Sequence, residues 1–236
     1  AGAAVAVPYV ITSSALAGED RPAASQRITM GCIGLGGRGT VHMETFLGQP
    51  EVQIVALCDV DAGSTRYEDA WHRGLAPAKE KVENRYAAER TAGTYRGVTG
   101  YRDFRDLLAR DDIDAVCIST PDHWHAPMVV AAAQAGKDIY CEKPLSLTIR
   151  DGQAMVAAVS RYGRVFQCGS QRRSDAKCRR SCELVRNGRI GRLHTVRVGL
   201  PGGHWIRSNA KKTFEVEPVP EGFDYDLWLG PAPWAP

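Results

Sequence analysis

Short apolar, β-branched runs alternate along the chain with longer stretches of helical periodicity. The first runs predict strands at Ile28 to Ile33 and at Val52 to Cys58, with a helix from Gly39 to Leu47 between them. Further strands are predicted at Ala115 to Ser119 and at Asp138 to Cys141. Strands and helices that alternate in this way are typical of βαβ units around a mostly parallel sheet.

The segments between the later strands predict helices. A polar, alanine-containing stretch that starts at Ala62 predicts a helix interrupted at Gly74 and Pro77, because both residues disfavour helix interiors. Two shorter helices are predicted at Tyr101 to Arg110 and Met128 to Ala135.

A second region follows Pro144, near which we place a domain boundary. Its pattern predicts a helix, a strand, a helix and a strand, at Thr148 to Tyr162, Val165 to Cys168, Ala176 to Arg186 and Leu193 to Leu200. The last stretch is rich in Pro, Gly and Trp and predicts no further element.

Composition and charge exclude several classes of protein. With 44% hydrophobic and 24% charged residues the chain has the composition of a soluble globular protein. A net charge of +3 gives no general reason to expect nucleic acid or a membrane surface. Of seven cysteines, the four inside the apolar runs before Pro144 are expected in the core, and Cys178 with Cys182 lacks the second ligand pair of a zinc site. We therefore expect no metal.

The first 18 residues are small and apolar, with no charge before Glu19. They predict the end of a signal peptide's hydrophobic region, with a small-residue cleavage site at Ser14 to Ala17. The alternative is a disordered or strand-like extension. The stretch is too short and too alanine-rich for a stable membrane span.

A glycine-rich turn follows the first predicted strand and leads into the first predicted helix. Asp59 ends the second strand, twenty positions after the last glycine, at the spacing of a ribose-binding acid. The glycine-rich turn matches the pattern G-x-G-x-x-G, and its position between a strand and a helix indicates a dinucleotide-binding site. The pattern is formed by Gly34, Leu35, Gly36, Gly37, Arg38 and Gly39.

Each part of this site has a physical task. Gly34 permits the tight turn, Gly36 lets the backbone approach a pyrophosphate, and Gly39 allows close helix packing, while the helix N-terminus offers free N–H groups. The Asp59 carboxylate would accept hydrogen bonds from ribose hydroxyls and repel a 2′-phosphate. NAD is therefore favoured over NADP, although Arg38 or Arg66 could offset the repulsion.

These observations predict an α/β fold: a Rossmann doubly wound parallel sheet followed by an incomplete α+β second domain. The predicted divisions are a signal-like extension over 1–26, an NAD-binding domain over 27–145 and the start of a substrate domain over 146–236.

Two further motifs follow later strands. Thr120-Pro121-Asp122-His123-Trp124-His125-Ala126 comes after Ser119, and Glu142-Lys143-Pro144 comes after Cys141. In this order with the glycine turn, they resemble the Gfo/Idh/MocA family of oxidoreductases. The resemblance is specific over residues 30–144 and extends more loosely through 169–173 and 226–231.

The resemblance implies hydride transfer between a nicotinamide cofactor and a secondary alcohol of a sugar or cyclitol. It implies that Lys143 donates to the substrate oxygen, that Glu142 orients Lys143 or the nicotinamide ribose, and that the Lys143–Pro144 bond is cis. It also implies an exported, periplasmic protein with a twin-arginine signal on a longer precursor; otherwise the protein would be cytoplasmic.

The TPDHWH motif would lie under the nicotinamide half of the cofactor. The resemblance implies that His123 to His125 contact the nicotinamide ribose or the substrate, with His125 in a catalytic role. The alternative is that Trp124 and His125 form a helix start packed on the core. The implied cofactor contacts of this half are Thr120, Pro121, His123, Trp124, Glu142 and Lys143.

Basic residues are concentrated between Gln171 and Arg192, opposed only by Asp175 and Glu183. They predict either an anionic substrate or a solvated helix face; nucleic acid is disfavoured because no recognition motif accompanies them. Gln171 and Arg172 are the predicted substrate contacts, because they directly follow a strand end.

None of the six histidines occupies the Asp-x-x-x-His motif that supplies proton transfer in the family's second domain. We therefore expect cofactor binding with little turnover by this chain alone. Two other functions stay open: an NAD-dependent glycosidase of the same fold, and a non-catalytic cofactor-binding protein. The expected partner is a small carbohydrate, and a full-length form is expected to associate into homo-oligomers.

Overall fold

A computed structural model describes residues 22–65, 72–90, 93–199 and 215–234. The chain forms two compact units. The first holds the described residues up to Gly169 together with Pro220–Pro233, and the second consists mainly of Ser170–Val219.

The described residues of the first unit form a six-stranded sheet in which every neighbouring pair is parallel. The order β3-β2-β1-β4-β5-β6 reverses direction between β1 and β4, where open α/β sheets bind ligands outside the strand ends. The strands are β1 (Ile28–Ile33), β2 (Val52–Cys58), β3 (Thr99–Tyr101), β4 (Ala115–Ile118), β5 (Asp138–Glu142) and β6 (Phe166–Gly169).

Helices cover both faces of this sheet. The helices of the described residues are α1 (Gly37–Leu47), α2 (Leu75–Ala88), α3 (Phe104–Leu108), α4 (Asp122–Gln134), α5 (Ile149–Tyr162), α6 (Ala176–Arg186) and α7 (Tyr225–Leu229). Met43 of α1 and Val82 of α2 belong to one buried cluster. Leu107 of α3, Val129 of α4 and Met155 of α5 belong to the other. The Rossmann-type α/β fold class is thus confirmed.

The strand residues divide between these two clusters because successive side chains point to opposite faces of a sheet. Cys32 and Cys117 pack in the cluster with α1 and α2, whereas Ile33 and Ile118 pack in the other. The four cysteines expected in the core are buried and form no disulfide: Cys32, Cys58, Cys117 and Cys141.

The sheet continues beyond the boundary that the sequence places near Pro144. Ile139 pairs with Phe166 and Glu142 with Gly169, so β6 extends the same parallel sheet. Between them α5 starts at Thr148, whose hydroxyl accepts the Asp151 N–H at 3.1 Å, and ends at Gly163 in a left-handed conformation. The predicted division at residue 145 is therefore too early, because α5 and β6 complete one further βαβ unit.

Other elements differ from the sequence predictions. Residues 193–199 form no strand; Val196 and Val198 are exposed, and no described strand lies beside them to pair their backbone groups. α2 begins at Leu75, directly after Gly74, whose φ of 105° is not helical, so the predicted interruption at Gly74 is confirmed. The predicted interruption at Pro77 is wrong, because Pro77 lies in the first turn of α2, where an N–H group has no intrahelical partner to lose. The short elements β3 and α7 were not predicted.

Several predictions concern residues outside the described ranges. These are the signal-like start with its cleavage site at Ser14 to Ala17, the end of the predicted strand at Leu200, and the side chains of Arg66 and His204. Within the described ranges, no helix combines the length and apolar character needed to cross a membrane.

Candidate cofactor and active site

The glycine turn connects β1 to α1 at the reversal of strand order. Gly34 has φ of +83°, a conformation that favours glycine, and its N–H donates to the Cys58 carbonyl at 2.9 Å. A Cβ atom at Gly34 would lie 2.7 Å from the Ser119 carbonyl oxygen. The turn therefore sits between the ends of β2 and β4, and only glycine fits its first position.

The N-terminus of α1 is open to an anion. Gly36 caps the helix without a side-chain hydrogen bond, and the first turn contains no acidic residue. Because the first N–H groups of a helix lack intrahelical partners, those of Gly37, Arg38 and Gly39 can donate to a phosphate. Arg73, which no sequence pattern singled out, donates from Nη1 to the Gly37 carbonyl at 2.9 Å. These features fit a dinucleotide pyrophosphate.

Asp59 faces the glycine turn. Its carboxylate accepts the Leu35 N–H at 2.5 Å and the Asp61 N–H at 2.8 Å. Burial raises the pKa of Asp59 to about 6, against the opposing effect of the hydrogen bonds from Asp61 and Leu35. The side chain of Leu35 is fully buried, so Leu35 serves this site through its backbone. The carboxylate and the turn are thus brought together as the spacing predicted.

The TPDHWH segment forms the junction between β4 and α4, with Pro121 as the N-cap of the helix. His123 Nε2 lies 2.9 Å from the Trp228 carbonyl oxygen, and Trp124 Nε1 donates to the Leu227 carbonyl at 2.9 Å. Both polar groups therefore contact the backbone of α7. Their predicted contact with the nicotinamide half of the cofactor stays a prediction.

His125 is buried at the first turn of α4, with 1% of its surface exposed. Its Nδ1 lies 2.6 Å from the Pro144 carbonyl oxygen and its Nε2 lies 2.9 Å from the Thr120 carbonyl oxygen. Carbonyl oxygens only accept hydrogen bonds, so the imidazole acts as a donor here. The ring links the two motifs that follow β4 and β5, and this placement favours the alternative reading of a helix start packed on the core.

Glu142 is the last residue of β5 and Lys143 follows it, at the same end of the sheet as the glycine turn. The Glu142 carboxylate is buried and accepts the Lys143 N–H at 2.9 Å. The Lys143 side chain is exposed, and no described residue forms a hydrogen bond or ion pair with its ammonium group. The Lys143–Pro144 bond is cis, as the family resemblance implied.

His42 is a residue of this site that the sequence did not reveal. Its Nε2 lies 2.6 Å from Glu142 Oε1, and the Arg38 guanidinium lies 3.8 Å from the same oxygen. Burial raises the pKa of Glu142, but the hydrogen bonds from His42 and the Lys143 amide outweigh burial and lower that pKa below its ordinary value. Helix α1 therefore contacts the β5 motif directly.

The predicted substrate residues lie in the second unit. Gln171 belongs to a 3-10 turn over Gln171–Arg173, and the largely exposed Arg172 pairs with Asp175 at 3.3 Å. Asp175 also caps α6 by accepting the Lys177 and Cys178 N–H groups. On α6, Arg179 pairs with Glu183 at 2.9 Å. The eight basic residues of this segment are thus all exposed, four of them on α6, and the two acids predicted to oppose them neutralise part of their charge.

Comparison with known proteins shows the family. Residues 28–170 match the sequence profile of an oxidoreductase family described by its NAD-binding Rossmann fold. The chain belongs to the Gfo/Idh/MocA family. NAD is therefore confirmed as the cofactor that the glycine turn predicted.

The family's members resemble this chain over about three quarters of its length. It is 31% identical over 169 residues to the myo-inositol 2-dehydrogenase of Thermotoga maritima, covering 72% of this chain and 44% of that protein. It is 31% identical over 180 residues to a glycosyl hydrolase family 109 protein of a Shewanella species, covering 74% of this chain and 33% of that protein.

A solved structure gives the same fold. The scyllo-inositol dehydrogenase of Lactobacillus casei, with bound NAD(H) and scyllo-inositol, matches at a TM-score of 0.54 and 25% identity, over 70% of this chain and 42% of that one. The chain therefore spans less than half the length of these relatives.

Proposed function

We propose that this chain provides the cofactor half of an NAD-dependent oxidoreductase that transfers a hydride between NAD and a secondary alcohol of a sugar or cyclitol. One observation carries the proposal: Lys143, whose ammonium group pairs with no side chain in the described part of the chain, follows β5 at the end of the sheet where β1 leads into the glycine turn. The similarity to myo-inositol and scyllo-inositol dehydrogenases supports a cyclitol or a related sugar.

The residues present fit the cofactor. The free N–H groups at the start of α1 would hold the pyrophosphate, and the Asp59 carboxylate would accept the hydroxyls of the adenosine ribose. The negative charge of Asp59 favours NAD over NADP, since a 2′-phosphate would meet it. When bound, NAD supplies the carbon that accepts or gives the hydride.

Lys143 would act on the substrate oxygen. An ammonium group beside the reacting carbon donates a hydrogen bond to that oxygen and stabilises the negative charge that develops on it. Glu142 accepts the Lys143 N–H and so holds the backbone from which this side chain extends. Lys143 is thus the catalytic residue, and Glu142 positions it.

The test measures NAD binding and turnover separately for Lys143→Ala and Lys143→Arg. We expect calorimetry to give NAD dissociation constants within about threefold of the parent, because Lys143 acts on substrate. In a full-length form, with inositols and sugars as substrates, we expect Lys143→Ala to lower kcat/KM by roughly 100- to 10,000-fold, and Lys143→Arg to lose less. Turnover that persists in Lys143→Ala would contradict the role assigned to the lysine.

A glycosidase is the second candidate, because the chain is as similar to glycosyl hydrolase family 109 proteins as to an inositol dehydrogenase. Here NAD would be reduced and reoxidised within one turnover. The two activities differ in one assay on glycosides and free sugars that follows nicotinamide absorbance together with sugar release. Net absorbance change with an alcohol supports the dehydrogenase; sugar release without such a change supports the glycosidase.

A further inference from the structure

The contact between His42 and Glu142 joins two parts of the site that are 100 positions apart in the chain. His42 lies on α1, one turn after the last glycine of the turn, and Glu142 is the last residue of β5. Both side chains are buried, at 8% and 4% exposure. Removing these two polar groups from water costs free energy, which their hydrogen bond to each other offsets.

The surroundings of the pair fix its geometry. The edge of the His42 ring contacts Tyr140, with ring centroids 5.1 Å apart, and Tyr140 in turn packs against Phe46. Arg38 approaches the same carboxylate oxygen from the first turn of α1. The imidazole is therefore held between an aromatic ring and the carboxylate.

The two oxygens of Glu142 have different partners. Oε1 accepts from His42, and Oε2 accepts the N–H of Lys143. A carboxylate that is fixed at both oxygens has one orientation, and that orientation determines where the Lys143 backbone leaves the strand. Without His42, Oε1 loses its 2.6 Å contact and keeps the Arg38 guanidinium at 3.8 Å, so the carboxylate is held less firmly toward the Lys143 amide.

We propose that His42 is a positioning residue that holds the Glu142 carboxylate and, through it, Lys143 at the edge of the sheet. The catalytic consequence rests on the function proposed above for Lys143. The contact itself does not, so the two can be tested apart.

Three substitutions of His42 distinguish the effect of losing the hydrogen bond from the effect of losing the volume of the ring. His42→Gln keeps a nitrogen donor at about the reach of Nε2, whereas His42→Leu keeps volume and removes the donor. His42→Asn is a second variant that removes the hydrogen bond, because the asparagine side chain is too short to reach Glu142. Since asparagine is polar, this variant serves if His42→Leu does not fold. His194→Leu makes the same change at an exposed histidine of the second unit.

The first measurement needs no substrate. In protein labelled with carbon-13 at glutamate carboxyls, Glu142 is assigned by its loss in Glu142→Gln. We expect its titration midpoint to lie below the ordinary glutamate value of about 4.3 in the parent and in His42→Gln. We expect it to rise by about one pH unit in His42→Leu and His42→Asn, with amide exchange at Lys143 about tenfold faster.

Turnover by a full-length form provides the second measurement. We expect His42→Leu and His42→Asn to lower kcat by about tenfold or more, with the NAD dissociation constant within about threefold, and His42→Gln to restore most of the loss. An unchanged Glu142 midpoint and unchanged Lys143 exchange in the removal variants would overturn the proposal. So would equal losses of kcat in folded His42→Gln and His42→Asn. If neither the full-length parent nor any full-length variant turns over a substrate, the proposed function fails, while the titration still decides the role of His42.

Discussion

Gly39 packs directly against the carbonyl group of Gly34. A Cβ atom at Gly39 would lie 1.8 Å from the Gly34 carbonyl oxygen and 2.8 Å from its carbon, closer than any real contact. Both atoms belong to the backbone, so neither can rotate out of the way. The first turn of α1 therefore approaches the end of β1 as closely as glycine allows.

This contact predicts that Gly39→Ala disrupts the cofactor site. The added methyl group must push α1 away from Gly34, and the helix N-terminus then moves from the position that suits a pyrophosphate. We expect calorimetry to show NAD affinity reduced by about a hundredfold, and denaturant unfolding to show a loss of about 1–3 kcal/mol.

Gly48→Ala is the matched control at the other end of α1. Its Cβ atom would meet the Thr45 carbonyl oxygen at 3.5 Å, an ordinary contact. We expect NAD affinity equal to that of the parent. Parent-like affinity in Gly39→Ala would show that the close approach is not required.

The sequence predicted the central sheet well because its strands are continuous apolar runs. β1 and β2 were predicted with the bounds that the structure gives, and Asp59 was placed correctly by its spacing from Gly39. β3 was missed because three residues, Thr99–Tyr101, carry no usable periodicity. Residues 193–199 were wrongly predicted as a strand, since an apolar run alone does not supply a neighbour to pair with.

The contacts of the site were harder to predict than its motifs. His42 belongs to none of the sequence motifs. Its partner Glu142 is near only because β1, β4 and β5 are adjacent in the sheet. His125 was singled out by its motif, but the sequence could not show that both ring nitrogens meet backbone carbonyls. Such information is in the three-dimensional arrangement of distant segments.

Asp59→Ala is predicted to change the choice between NAD and NADP. The substitution removes the acceptor for the ribose hydroxyls and the charge that opposes a 2′-phosphate. Because hydrogen bonds to charged groups contribute about 1.5–3 kcal/mol, we expect NAD affinity to fall roughly 10- to 100-fold. NADP affinity should fall less or rise, so the ratio of the two dissociation constants is the measurement. Asp111→Ala, at an exposed aspartate, should leave the ratio unchanged.

The raised pKa of Asp59 predicts that NAD affinity depends on pH. Burial places the pKa at about 6, so the ionised form that accepts ribose hydroxyls is lost as the pH falls through that value. We expect a constant dissociation constant above about pH 7 and a rise approaching tenfold per pH unit well below pH 6. Asp59→Asn should bind more weakly at neutral pH but show no such rise.

The free energy of unfolding should depend on pH in the opposite sense to NAD affinity: Asp59 should favour the folded state more at low pH than at neutral pH. An acid whose folded pKa is raised stabilises the fold in its protonated form, and this contribution is lost as the pH rises through the folded pKa of about 6. We expect the free energy of unfolding of the parent, relative to that of Asp59→Asn, to decrease between pH 4 and pH 7. A relative increase over this interval would contradict the assignment.

His125→Ala is predicted to reduce stability. The substitution removes a ring that is 1% exposed, together with its contacts to the partly buried Thr120 carbonyl and to the Pro144 carbonyl, so we expect a loss of about 1–3 kcal/mol. Denaturant unfolding measures the loss. The exposed His194→Ala should change the free energy of unfolding by less than about 0.5 kcal/mol. Equal effects of the two substitutions would show that the buried ring does not support the fold.

The return of residues 220–233 to the first unit determines how this domain can be produced in isolation. The Asp224 N–H donates to the Val60 carbonyl at 2.9 Å, and the Ala62 N–H donates to the Gly222 carbonyl at 2.8 Å. Expression of a product that stops after Gly169 would leave these backbone groups and the indole of Trp124 facing water. A usable recombinant domain therefore has to retain the returning segment, either within the native chain or rejoined through a linker that replaces the second unit.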